Sequence, residues 1–183
     1  TVARTALWIA ESQMFDETMK ILYSDFDFLP LTTAAKIVEG NALTLDWETV
    51  VPKGELDYIM GNPPFLGYSM QNKEQKADLK AVYSNAKGKP YPHSGKIDFV
   101  SGWYLKAARY MQDTNISAAF VSTNSITQGD QVAPIWKPVL EEYHMHLHFG
   151  YQTFKWQSEA ADKAAVHCVI IGFGPTDVQP KLI

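Results

Sequence analysis

The apolar run Leu56-Asp57-Tyr58-Ile59-Met60-Gly61 passes directly into Asn62-Pro63-Pro64-Phe65, and this junction constrains the fold more than any other stretch. A short apolar run bounded by Gly and Pro reads as a strand rather than a helix, and its hydrophobicity, broken only by Asp57, suits a parallel strand covered on both faces. The two prolines end it. Each fixes φ at about −65° and lacks an N–H for a sheet ladder, and the first also holds Asn62 extended. The chain therefore leaves the strand with carbonyls pointing in defined directions. Beside them it carries a side-chain amide that both donates and accepts, and a flat aromatic ring. Open α/β sheets bind their ligands at such strand exits, and this set suits an exocyclic amino group on a planar heterocycle.

The rest of the chain alternates helix and strand. Ala3 to Tyr23 holds Leu7, Ile9, Met14, Phe15, Met19, Ile21 and Leu22 among good helix formers with no Gly or Pro, which predicts an amphipathic helix. Lys36 to Glu39 predicts a short strand closed by Gly40-Asn41. Asn72 to Tyr83 predicts a short helix, Asn85 to Gly95 a mobile loop, and Asp98 to Met111 a helix with Phe99, Trp103, Leu105, Ala107, Ala108 and Met111 on its buried stripe. Ser117 to Ser122 predicts a strand, Ile126 to Tyr143 a helix around Pro134 and Pro138, Met145 to Tyr151 a strand, and Ala165 to Phe173 a strongly apolar strand. A closing strand pair after helix-strand alternation predicts an α/β fold whose mostly parallel sheet carries one antiparallel strand.

At 183 residues and 46% hydrophobic content the chain suits one packed domain and is short for two. No stretch approaches the roughly 18 apolar residues of a membrane span, and Thr1-Val2-Ala3-Arg4 does not open a signal peptide, so a cytoplasmic protein is expected. Cys168, the one cysteine, excludes an internal disulfide and predicts a buried, inert thiol. His144, His146 and His148 alternate along a strand but lack the further ligands of a zinc site, so no metal is expected. A net charge of −4 is unlike a stand-alone nucleic-acid binder. The most basic stretch, Lys73 to Lys96 with Lys76, Lys80, Lys87 and Lys89, reads either as a solvated loop or as a phosphate-contacting one.

Asn62-Pro63-Pro64-Phe65 resembles the (D/N)PP(Y/F) motif of amino-methylating DNA methyltransferases, in the form of the branch that methylates adenine N6. Further segments resemble the methyltransferase domain of MmeI-like, type IIL restriction-modification enzymes. These are Ala6 to Glu11, Gly40 to Leu43 with Asp46-Trp47, Gly61 to Gly67, Phe120 to Ile126 with Gln128-Gly129, and Ala164 to His167, in family order along nearly the whole chain.

The resemblance implies a Rossmann-like S-adenosylmethionine-dependent fold acting on double-stranded DNA whose target adenine is flipped out of the helix. It implies that Asn62 and the Pro63 carbonyl accept from the N6 amine, that Pro64 completes the rigid turn, and that Phe65 stacks on the base. It places the cofactor against Asn41, Ala42, Asp46 and Asn62, with Asn41 equally able to cap the turn after Gly40. Phe154, Trp156 and Asn124 would wall the base pocket, or serve in packing and turn formation. The family's Gly-rich cofactor strand and ribose-binding acid are not found, which implies a partial catalytic domain. An upstream cofactor segment and a downstream target-recognition domain would complete it, or another chain would pair with an exposed sheet edge. RNA or protein glutamine as substrate, and an inactive binding or assembly module, are the other readings.

Overall fold

The structure, a computed structural model, describes residues 2–22, 36–85, 87–156 and 166–182. They fall into two compact units, 1–40 and 41–183. In the first, helix α1 spans Val2–Leu22, as its unbroken run of helix formers dictates. Residues 36–40 contain no strand. The expected strand at Lys36 to Glu39 is absent because a strand exists only through a ladder, and no described strand pairs with this segment.

The second unit is built on four strands, β1 (Tyr58–Gly61), β2 (Ser117–Thr123), β3 (His146–Trp156) and β4 (Val166–Gly174), in the spatial order β1-β2-β4-β3. β1 and β2 are parallel, with Gly61 opposite Phe120. β4 runs antiparallel to both β2 and β3, so three strands share one direction and β4 opposes them. This is the mostly parallel sheet with one antiparallel strand. The helices are α2 (Lys73–Val82), α3 (Ser101–Tyr110) and α4 (Val132–Lys137). A reciprocal capping box starts α2: Asn72 Oδ1 accepts from the Gln75 amide and Gln75 Oε1 from the Asn72 amide, both at 2.9 Å.

Alternation along β2 turns Ala118, Phe120 and Ser122 into the core, where they meet α3. Tyr104 stacks on Phe173 with ring centroids 5.5 Å apart and meets Phe120 and Trp136 edge-on at 5.2 Å. Its hydroxyl donates to the Phe120 carbonyl at 3.1 Å and shares a 2.7 Å hydrogen bond with the Ser122 hydroxyl, so the ring is buried without an orphaned polar atom. Each such ring contributes about 1.5–3 kcal/mol of burial. Among the described residues every buried side-chain nitrogen and oxygen has a partner.

Three further elements differ from expectation. β1 is an edge strand, with Tyr58 72% and Met60 83% exposed. It is paired on one side only among the described residues, so the cover on both faces expected of a parallel strand is absent there. The stretch from Ile126 to Tyr143 is not one helix. It breaks into 3-10 turns, α4 and a π turn at Pro138–Glu142, because Pro138 offers no N–H to continue the α-helical ladder. β3 continues past Tyr151 to Trp156, with register shifts at Leu147/Phe149 and Tyr151/Phe154. Such bulges let a strand keep pairing while its side chains are re-aimed.

Candidate active site

The loop after β1 carries the proline motif. Asn62 is exposed, and its side chain makes no hydrogen bond to any described residue. Pro63 is buried beneath it, Pro64 is exposed, and Phe65 is half-buried. The next residues are tied to the segment that opens α3. The Leu66 carbonyl accepts from the Phe99 amide at 2.9 Å, the Tyr68 amide donates to Asp98 Oδ1 at 3.2 Å, and Gln71 Nε2 donates to the Ile97 carbonyl at 3.0 Å. The amide of Asn62 thus projects from a stiff backbone whose downstream arm is anchored.

Asp98 also holds the second loop. Its Oδ2 accepts from the Ser125 hydroxyl and, at 3.5 Å, from Thr123 Oγ1, while its own amide donates to Gln131 Oε1 at 2.8 Å. At 7% exposure the carboxylate is nearly fully buried, and a buried charge persists only when several donors satisfy it. One carboxylate therefore fixes the exits of both parallel strands. In sequence Asp98 reads only as the start of a helix. Its signal was a lone acid in the apolar context Ile97-Asp98-Phe99-Val100, where burial without partners is prohibitive.

The residues expected around a target base lie at this same end of the sheet. Asn124 directly follows β2, and its carbonyl accepts from Thr127 Oγ1 at 2.7 Å. Phe154 of β3 stands opposite Cys168 of β4, which in turn faces Thr123. It is half-buried and meets Tyr151 edge-on at 5.8 Å. Trp156 pairs with Val166 at the strand end. A groove of about 500 Å³ runs along β3, lined by Thr127, Tyr151, Thr153, Val169 and Ile171 among others and by none of Asn124, Phe154 and Trp156.

Asn41, Ala42 and Asp46 occupy a different place, packed on α2 and α3. Both ends of the Asn41 amide are committed, Oδ1 to the Leu43 amide at 3.0 Å and Nδ2 to Asp78 Oδ2 at 2.7 Å. The Ala42 carbonyl accepts from Trp47 Nε1 at 2.9 Å, and Asp46 caps a 3-10 turn through the Glu48 amide at 3.0 Å. Lys106 secures this loop from α3, donating to the Leu43 carbonyl at 2.8 Å and to the Leu45 carbonyl, and its ammonium lies 5.4 Å over the Trp47 ring. Burial lowers the Lys106 pKa, and the Asp46 charge partly opposes that shift. No hydrogen bond among the described residues joins this cluster to Asn62.

His146 and His148 lie apart from the strand-exit loops. His146 faces Asp177 at 3.7 Å and His148 Nε2 lies 2.8 Å from the Thr176 carbonyl, at the far end of β3. Cys168 is buried, and burial raises its thiol pKa. Among the described residues no helix is long and apolar enough to cross a membrane.

The comparisons with known proteins agree with one another. "DNA methyltransferase A" of Bacillus subtilis (strain 168) is 41% identical over 182 residues, which is 97% of this chain and 20% of that protein. The type IIL restriction-modification enzyme MmeI, solved in complex with DNA, matches with a TM-score of 0.84 at 42% identity, over 98% of this chain and 23% of that one. The chain thus spans about a fifth of the length of the relatives it matches. The family model for the MmeI DNA-methyltransferase domain matches residues 1–183, and the chain belongs to that family.

Proposed function

We propose that the chain is part of the catalytic domain of a site-specific DNA methyltransferase that transfers a methyl group from S-adenosylmethionine to adenine N6, within a restriction-modification system. The observation that carries this reading is Asn62. It is an uncommitted amide on a buried-proline support at the carboxyl end of a parallel strand, with Phe65 three residues on. A site for an amino group needs fixed acceptors that nothing else in the protein consumes.

The residues fit part of the cofactor. Asn62 has its amide free, and Asp46 is an exposed acid suited to an amine or hydroxyl. The Asn41 side chain is spent on the Leu43 amide and on Asp78 of α2. When bound, S-adenosylmethionine supplies an electrophilic methyl group. Asn62 Oδ1 and the Pro63 carbonyl accept from the adenine amine, which localises its lone pair on nitrogen and stabilises the positive charge that grows there. No side chain strong enough to deprotonate the free amine is required, since the proton becomes acidic only as the new bond forms and then passes to solvent. Pro64 keeps the turn rigid, and Phe65 stacks on the base once it has left the duplex. Phe154, Trp156 and Asn124 form the opposite wall of its pocket.

We read residues 1–183 as one partial catalytic domain of a cytoplasmic enzyme. The remaining cofactor contacts and the target-recognition domain lie elsewhere in the longer protein, and the open edge of β1 is where further sheet is added. The test is to incubate the full-length protein with S-adenosylmethionine and duplex DNA and to identify the methylated nucleoside by mass spectrometry. N6-methyladenine is the expected product. N4-methylcytosine, or methylation confined to RNA or to protein glutamine, overturns the assignment, and no transfer to any acceptor leaves a binding or assembly module.

A further inference from the structure

Six of the sixteen basic side chains, Lys73, Lys76, Lys80, Lys87, Lys89 and Lys96, fall within 24 residues that carry only two acids, Glu74 and Asp78. The chain as a whole has a net charge of −4, so this is a local reversal of sign. All six lysines are exposed, and none of their ammonium groups has an ion pair or hydrogen bond among the described residues. A solvated face commonly pairs its lysines with i+3 or i+4 acids, as Lys137 does with Glu141. Here that pairing is missing.

Helix geometry sets the direction. At about 100° per residue Lys73, Lys76 and Lys80 lie within about 60° of one another, on the side of α2 away from buried Leu79 and Val82. Asp78 points elsewhere, accepting from Asn41 Nδ2 at 2.7 Å. The capping box at Asn72 starts this helix ten residues after Asn62, and Gln71 anchors its lead-in to the Ile97 carbonyl. The lysine row therefore has a fixed relation to the loop that carries the motif. From Lys73 to Lys80 the row is about 10 Å long, the axial rise of about three phosphates on one strand of a duplex. Lys87 and Lys89 follow the helix in sequence, in a turn that Asn85 closes, its Oδ1 accepting from both of their amides at 3.0 Å.

We propose that the outward face of α2, with Lys73, Lys76 and Lys80 at its centre and Lys87 and Lys89 at its end, is a phosphate-tracking surface that holds the DNA backbone beside the strand exits. The inference rests on the DNA reading given above and assigns the surface that does the holding. It concerns affinity and register, not base recognition, because ammonium groups contact phosphates without reading sequence.

The experiment measures binding of the full-length protein to a mixed-sequence duplex across a salt series, for the wild type, for Lys73→Gln/Lys76→Gln/Lys80→Gln, and for the corresponding triple Arg variant. Each phosphate contact contributes about 0.9 to the slope of log K against log salt. The Gln variant should flatten the slope by between about one and three and weaken binding roughly tenfold or more at low salt, with its thermal unfolding unchanged. The Arg variant should restore the wild-type slope. A Gln variant with the wild-type slope, alongside a wild type that binds DNA, overturns the surface assignment and leaves the DNA reading intact. A wild type with no salt-dependent DNA binding overturns the reading on which it rests.

Discussion

Replacing Asp98 tests whether one buried carboxylate fixes both strand-exit loops. Asp98→Ala removes the acceptor for the Tyr68 amide (3.2 Å) and for the Ser125 hydroxyl, together with the longer Thr123 contact (3.5 Å). A hydrogen bond to a charged group contributes about 1.5–3 kcal/mol, and two are lost outright. Relief of the carboxylate's own desolvation offsets part of this, since the group is 7% exposed. The net local loss should be about 2–4 kcal/mol. Asp98→Asn keeps the shape and one acceptor, and the hydroxyls of Ser125 and Thr123 can turn to accept from its amide, so its cost should be about 1 kcal/mol. Hydrogen exchange resolves the effect locally. At about 1.4 kcal/mol per factor of ten, protection of the Tyr68 amide should fall thirtyfold or more in the Ala variant and about fivefold in the Asn variant. Turnover should fall in the same order, because the loop bearing Asn62 loosens at its downstream anchor. Unchanged exchange at Tyr68 in Asp98→Ala would refute the reasoning.

Three further outcomes follow from the geometry. Tyr83 and Tyr104 are buried, and burial pushes both phenols well above their ordinary value near 10. Below that pH both are neutral in the folded and unfolded chain. Above it only the unfolded chain releases the protons, so stability should fall by about 1.4 kcal/mol per pH unit for each ring, and Tyr104→Phe should flatten the alkaline limb of an unfolding-versus-pH series. Cys168 is buried and its thiol pKa is raised, so a thiol reagent at neutral pH should label it only on denaturation. Phe65→Ala should raise KM for DNA and reduce the fluorescence change of a 2-aminopurine placed at the target base, with cofactor binding unaffected; an unaltered fluorescence change would remove Phe65 from the base contact.

Much of the sheet was legible because its signals are local. The runs at Ser117 to Ser122 and Ala165 to Phe173 are apolar, short and bounded by polar turns, and they formed β2 and β4 within a residue or two. The short helix expected over Asn72 to Tyr83 forms as α2, and the structure adds the capping box of Asn72 with Gln75 that starts it. What the sequence did not reveal depends on partners distant in the chain. Lys36 to Glu39 has strand composition but no described neighbour to pair with, and β3 outlasts its apolar alternation because β4 offers a ladder as far as Val166. At the site, the proline motif carried its own geometry, since two fixed φ angles act without help from elsewhere. Asp98 did not, because its partners Tyr68, Thr123, Ser125 and Gln131 lie 25 to 33 positions away. Asn41 shows the reverse case. Its residue type suits a cofactor contact, yet Asp78, 37 positions on, occupies its donor.

Methyl transfer is proposed to depend on the acceptor that Asn62 supplies, and the decisive variant is Asn62→Ala in the full-length protein. Radiolabelled methyl transfer to DNA should be followed beside calorimetric titration of S-adenosylmethionine. Loss of one preorganised acceptor costs about 10²–10³-fold in turnover, while the exposed position of Asn62 means that its removal leaves the packing intact. The rate should be at least a hundredfold lower with near-normal cofactor affinity. Undiminished transfer by the variant would contradict that dependence.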